Sequence, residues 1–127
     1  MLPITLTLPW PPSVNKYWRH TFVNRRFTVL LSAEARRYKD NVLYVVVARH
    51  AQLHLSCPVA VHISLYPRNR MTRDIDNYSK GLLDALTYAG VWQDDKLVRY
   101  MTVRMCDPVP QRGKCVVTIC AYEAPEV

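Results

Sequence analysis

The segment Arg73-Asp74-Ile75-Asp76-Asn77-Tyr78-Ser79-Lys80 places two carboxylates and an amide between cations. Side chains two apart in an extended backbone face the same way, so Asp74 and Asp76 can converge on one hard cation if the following helix has not yet begun. Asp76 as the helix N-cap would allow this, with backbone donors and the helix dipole favouring its charge. A structural reading accounts for the same residues: Asp76 only caps, and Asp74 pairs with Arg73 or Arg70 at the surface. A metal centre therefore needs a third carboxylate, and Gln93-Asp94-Asp95-Lys96 offers one. Lys80 and Asp84 continue from Asp76 at helical spacing. They form either an i,i+4 ladder of a few tenths of a kcal/mol per pair or, through Lys80, a cation that steadies charge on a phosphate.

Other chemistries find little support. His20, His50, His54 and His62 are dispersed, and His50 with His54 makes an i,i+4 pair only if the first helix extends that far. Cys57, Cys106, Cys115 and Cys120 form no CxxC pair, and Cys115 and Cys120, an odd offset apart in one strand, face opposite ways. Buried reduced thiols are expected rather than zinc. Neither GxSxG nor a glycine-rich phosphate loop is present. Tyr17, Trp18 and Arg19 interleave aromatic and basic character, which suits either an exposed base or sugar or a packed corner. Trp10 and Trp92 read as core or subunit-interface residues.

The elements that must position these groups follow from periodicity. Ile4, Leu6 and Leu8 alternate as in a half-buried strand that stops at Pro9-Trp10-Pro11-Pro12. Thr21 to Val29 suggests a short ribbon around Asn24-Arg25-Arg26. Ser32 reads as the N-cap of a first helix carrying Tyr38, Val42, Val45, Arg49 and Leu53, although Val45-Val46-Val47 favours strand. Val59 to Tyr66 is a second strand, and the stripe Tyr78, Leu82, Ala85, Leu86, Ala89 predicts a helix from Asp76 to Ala89, stopped by Gly90. Leu97 to Met105 and Cys115 to Tyr122 read as a hairpin. The helix spans roughly 20 Å, so Asp95 reaches the Asp74 region only if the chain doubles back, parallel or antiparallel, beside Val59 to Tyr66. The expected fold is α+β: one small domain over residues 1–127, a mixed sheet with two main helices packed mainly on one face.

Seventeen Lys and Arg against ten Asp and Glu leave a net charge of +7. Such a field favours a polyanionic partner through counterion release. No apolar run approaches the roughly 20 residues that span a membrane, and the start lacks a basic segment followed by a long apolar one; a cytoplasmic location without membrane attachment is expected.

Leu8-Pro9-Trp10-Pro11-Pro12-Ser13-Val14-Asn15, then Arg73-Asp74-Ile75-Asp76-Asn77 with Lys80, then Asp84-Ala85-Leu86, then Val91-Trp92-Gln93-Asp94-Asp95, resemble in order and spacing the RusA family of Holliday-junction resolvases of phage or prophage type. The resemblance runs from about Ile4 to Tyr122. It implies a homodimeric, Mg²⁺-dependent crossover junction endodeoxyribonuclease, with Mn²⁺ able to substitute. Such an enzyme acts on branched DNA in recombination and repair, resolving four-way junctions by paired nicks at a CC dinucleotide. It also implies Asp74, Asp76 and Asp95 as metal-binding catalytic carboxylates and Lys80 as the catalytic lysine. Arg68, Arg70, Arg73, Asn15 and Arg19 are then candidate DNA contacts, with Asp94, Asp84 and Asn77 in support. The run from Arg68 to Arg73 departs from the family's unbroken arginines, being interrupted by Asn69, Met71 and Thr72. Mg²⁺ takes oxygen ligands and keeps several waters, which two or three solvent-open aspartates accommodate.

Overall fold

The computed structural model describes residues 2–126. In chain order the elements are β1 (Ile4–Leu8), a 3₁₀ turn (Val14–Lys16), β2 (Trp18–Val23), β3 (Arg26–Leu31), α1 (Ala33–Ala48) and β4 (Val59–Tyr66). A second 3₁₀ turn (Ile75–Asn77) then leads into α2 (Ser79–Tyr88), and a third (Asp95–Leu97) into β5 (Val98–Met105), followed by β6 (Lys114–Ala121). The fold is α+β, as expected, with the sheet order β1-β6-β4-β5. β6 runs antiparallel to both β1 and β4, whereas β4 and β5 are parallel.

Alternation decides which side of the sheet is covered. Leu6 and Leu8 of β1, Val59, Val61, Ile63 and Leu65 of β4, and Cys115, Val117 and Ile119 of β6 are buried on one face. Against them lie Tyr38, Val42 and Val46 of α1 and Leu82, Ala85 and Leu86 of α2, in one contiguous core. Trp92 completes it at 1% exposure, its indole N–H donating to Thr87 Oγ1 at 2.7 Å. The opposite face, with His62, Ser64, Tyr66 and Thr118, is only partly shielded.

Helix α1 forms despite its three consecutive valines because Val42 and Val46 lie on its core stripe. Ser32 caps it as expected, its Oγ accepting from the Ala35 N–H at 3.1 Å. The helix stops at Ala48 and both His50 and His54 take positive φ, so Leu53 lies beyond it and the two histidines are not a helical pair. Gly90, at φ 87, ends the second helical segment; a Cβ there would stand 2.8 Å from the His54 ring.

Two further expectations, on strand pairing and on the thiols, need correction. β5 and β6 are not a hairpin, because β4 lies between them. β6 buries Cys115, Val117 and Ile119 completely and takes an interior position, whereas β5, with Arg99, Tyr100 and Met101 exposed, suits an edge. Their connection passes over the end of β4, where the Cys106 N–H donates to Leu65 O and the Val109 N–H to Pro67 O, both at 2.8 Å. Nor are all four thiols buried: Cys115 is, but Cys57 is exposed and the other two are intermediate.

The ribbon expected near Thr21 to Val29 is the β2–β3 hairpin, turned by Asn24 and Arg25, both at positive φ. Its root is fastened to α1: the Ser32 N–H donates to Tyr17 O at 2.9 Å and Ser32 Oγ to Lys16 O at 2.6 Å. The proline segment clamps both helices. Tyr38 OH donates to Pro9 O at 3.0 Å, and Pro12 packs so closely on Gly81 of α2 that a Cβ there would meet its ring at 3.0 Å.

Candidate active site

The chain leaves β4 at Tyr66 and crosses the end of the sheet before entering the Asp74 segment. Arg73 holds this crossing in shape: its guanidinium donates to Asn69 O at 3.1 Å, Met71 O at 2.8 Å and Asn69 Oδ1 at 2.8 Å. It also lies 5.6 Å from the centre of the Trp10 ring. Those donors are therefore engaged within the loop, although the charge remains at the surface. Arg68 and Arg70 are exposed and carry no such bonds.

Asp74 is extended and precedes the 3₁₀ turn, its carbonyl accepting from the Asn77 N–H at 3.2 Å; its side chain caps nothing. Asp76 lies inside that turn, so it is not the N-cap of α2; Tyr78 occupies that position, also without a side-chain cap bond. The tight turn brings Tyr78 into the core, edge-on to Trp10 with ring centroids 4.8 Å apart. Burying that ring outweighs the capping preference of Asp76. Both aspartates remain exposed.

Beside this segment runs a groove of about 800 Å³, walled by Trp10, Pro12, Tyr38 and Tyr78 and open along the loop. Its lining includes Lys16, Arg37, Arg68, Arg73 and Arg112 against two carboxylates, Glu34 and Asp74. Asn15 and Asn77 also line it, but Asp76, Lys80 and Arg70 do not. Arg37 and Arg112 were not legible as site residues. Arg37 directly precedes the core residue Tyr38 on α1, and Arg112 lies in the β5–β6 loop, so only tertiary placement brings them to the groove.

Lys80 lies at the ribbon root instead. Its Nζ is 3.2 Å from Asp84 Oδ2 and 5.9 Å from the centre of the Trp18 ring. Asp84 also accepts from Tyr17 OH at 2.5 Å. Tyr17 is only 1% exposed, and burial, followed by the Asp84 bond, pushes its phenol far up from its ordinary range. Beyond it the ribbon presents exposed Trp18, Arg19, His20 and Phe22. No carboxylate occurs in the sequence before Glu34.

Asp94 is a structural cap, its side chain accepting from the Lys96 N–H at 2.9 Å. Asp95 opens the third turn, exposed and just ahead of β5. Of the two ways back along β4, the chain takes the parallel one: Val59 pairs with Val98, and Leu65 with Met105. Asp95 is therefore at the start of β4, while the loop leading to Asp74 leaves its far end. The eight residues of β5 put roughly 25 Å of strand between these two ends. Among the described residues, no group of three His, Cys, Asp or Glu side chains is placed to hold a metal ion.

A cation-lined groove bordered by a solvent-open carboxylate, with a carboxylate-free ribbon nearby, is electrostatically suited to a polyanion. Residues 9–119 match the family model for endodeoxyribonuclease RusA. The chain is 42% identical over 116 residues to the crossover junction endodeoxyribonuclease RusA of Escherichia coli O139:H28, covering 91% of this chain and 92% of that protein. It is 41% identical over 115 residues to the enzyme of the same name from Enterobacteria phage 82, covering 90% and 91%. The protein of E. coli K12 is 40% identical over 116 residues. The chain belongs to the RusA endodeoxyribonuclease family. Among the described residues no helix is long and apolar enough to cross a membrane.

Proposed function

We propose that this protein is a divalent-metal-dependent endodeoxyribonuclease that resolves four-way DNA junctions by paired nicks, working as a symmetric homodimer. The observation that carries the reading is the cation-lined groove running past Asp74, in a chain of the RusA family. Arg37, Arg68 and Arg112 neutralise the backbone of a bound strand, and Arg73 adds charge while keeping the loop in shape. The ribbon, with Arg19 and the exposed rings of Trp18 and Phe22, offers a second contact to an opened branch point.

Asp74 and Asp76 are exposed carboxylates whose oxygens suit Mg²⁺ or Mn²⁺. When bound, such an ion supplies Lewis-acid polarisation of the phosphate and a more acidic water. The chain's own contribution is to hold the strand against the carboxylates and to bring the Lys80 ammonium to the charge that builds on the phosphate.

Asp95 explains why one chain is insufficient. β5 is an edge strand, and antiparallel apposition of two such edges about a twofold axis would bring the start of each β5 to the end of the other. Asp95 of one copy then completes the Asp74–Asp76 pair of its partner. Partly exposed Met101 and Ile75 on this side are apolar surface suited to burial there. Two composite sites per dimer match two nicks per junction.

Cleavage of a synthetic four-way junction, with and without Mg²⁺, tests the activity. Equal cutting of duplex, fork and junction would leave a nuclease without junction selectivity. Junction binding with no metal-dependent cleavage would reduce the protein to a DNA-binding module.

A further inference from the structure

An i,i+4 Lys–Asp pair on a helix surface is ordinarily a weak and mobile contact. The Lys80–Asp84 pair is held differently. Asp84 Oδ2 receives the Lys80 ammonium at 3.2 Å and the Tyr17 hydroxyl at 2.5 Å on the same oxygen. Tyr17 comes from a segment 67 residues away and its side chain is buried, so it anchors the carboxylate from the protein side. It cannot follow Asp84 outward, because the Ser32 N–H holds its carbonyl at 2.9 Å and the adjoining Trp18 ring packs edge-on to its own at 4.9 Å. Burial and the Asp84 bond raise the phenol above its ordinary range, which favours its protonated, donating form. On its open side Lys80 meets the Trp18 ring, and half of its side chain remains solvent-accessible.

A mobile lysine would sample many positions and lose rotamer freedom on meeting a phosphate. Here one donor is fixed on an anchored carboxylate, and the other two are free for a ligand. We propose that Tyr17 and Asp84 are positioning residues for Lys80, setting where its ammonium meets the scissile phosphate. This inference rests on the role given to Lys80 above. It reaches further in tying that role to the ribbon root, since Tyr17 and Trp18 begin the ribbon.

The test is a double-mutant cycle read in single-turnover junction cleavage with Mg²⁺, alongside junction affinity and melting temperature. Asp84→Asn keeps size and an acceptor for Tyr17 but removes the charge. Tyr17→Phe keeps the ring in its slot and removes the anchor. Asp84→Asn is expected to slow cleavage about ten-fold or more and Tyr17→Phe about three-fold, each with affinity within about two-fold of wild type. In a Lys80→Ala background neither change should slow cleavage further, because each acts through the missing ammonium. Additive losses in that background overturn the proposal, as does wild-type cleavage by Asp84→Asn when Lys80→Ala is slow. If Tyr17→Phe folds and cleaves at the wild-type rate, the anchor is refuted even where Asp84→Asn is too unstable to assay. Wild-type cleavage by Lys80→Ala would instead remove the catalytic role of Lys80, and this inference with it.

Discussion

Mixing two inactive variants separates a site shared between subunits from one contained in a single chain. The two variants are Asp74→Asn and Asp95→Asn. Asp95 precedes the start of β5, whereas the loop to Asp74 leaves the far end of β4, and the parallel register of β4 with β5 puts roughly 25 Å of strand between these two ends. Each homodimer is expected to be inactive. In a heterodimer with shared sites, both substitutions fall in the same site and the other site is entirely wild type. Random exchange at equal concentrations makes about half the dimers heterodimers, each with one of two sites intact, so about a quarter of wild-type sites return. Because each active dimer carries a single site, the product from a supercoiled cruciform plasmid should be nicked circles rather than linear molecules. The assay is co-refolding of the two variants, gel quantitation of nicked and linear product, and sedimentation at the same concentrations. A mixture that exchanges subunits fully yet stays inactive would refute the reasoning, since in a single-chain site every heterodimer site carries one substitution. An active monomer would refute it equally.

Asp94→Asn should cleave close to the wild-type rate, since Asn still accepts from the Lys96 N–H, whereas Asp95→Asn should abolish cleavage; single-turnover assays of the pair check this. Replacing Arg37 and Arg112 by Ala should weaken junction binding and reduce the slope of log affinity against log salt by about 1 for each phosphate no longer neutralised, read by titration at several salt concentrations. Ser32→Ala removes both the acceptor for the Ala35 N–H and the donor to Lys16 O, and should cost about 2 kcal/mol in urea unfolding. Burial raises the Cys115 thiol from 9.0 to about 12, so the folded state keeps a proton that the unfolded state releases. Stability should therefore be complete below pH 9 and fall as pH rises toward 12, by up to about 4 kcal/mol from this group, with Tyr17 and Tyr38 adding losses of the same sign above pH 10. Melting temperatures of wild type and Cys115→Ala across this range check it: the variant should start lower but decline less between pH 9 and 10.

Local pattern determined much of this protein. The alternation of Ile4 to Leu8 and of Val59 to Tyr66, the Ser32 cap and the stripe of Leu82, Ala85 and Leu86 were readable because each expresses a period of two or 3.6 within one segment. The order of Pro-rich turn, Asp74–Asp76 pair, lysine and Asp94–Asp95 doublet likewise carried the family resemblance along almost the whole chain. Tertiary structure alone decided what each segment lies beside. An alternating strand records which face it buries, not which neighbours it takes, so β5 and β6 read as a hairpin although β6 belongs between β1 and β4. The same ambiguity allowed Asp95 to return near Asp74, and the parallel choice sent it to the other end. Asp76 read as a cap because its type favours one, but burying Tyr78 against Trp10 tightened the turn around it. Tyr17 and Asp84, separated by 67 residues, meet only because the proline segment and the ribbon root are both packed on the helices. Spacing along the chain does not encode that approach; packing of the shared core sets it.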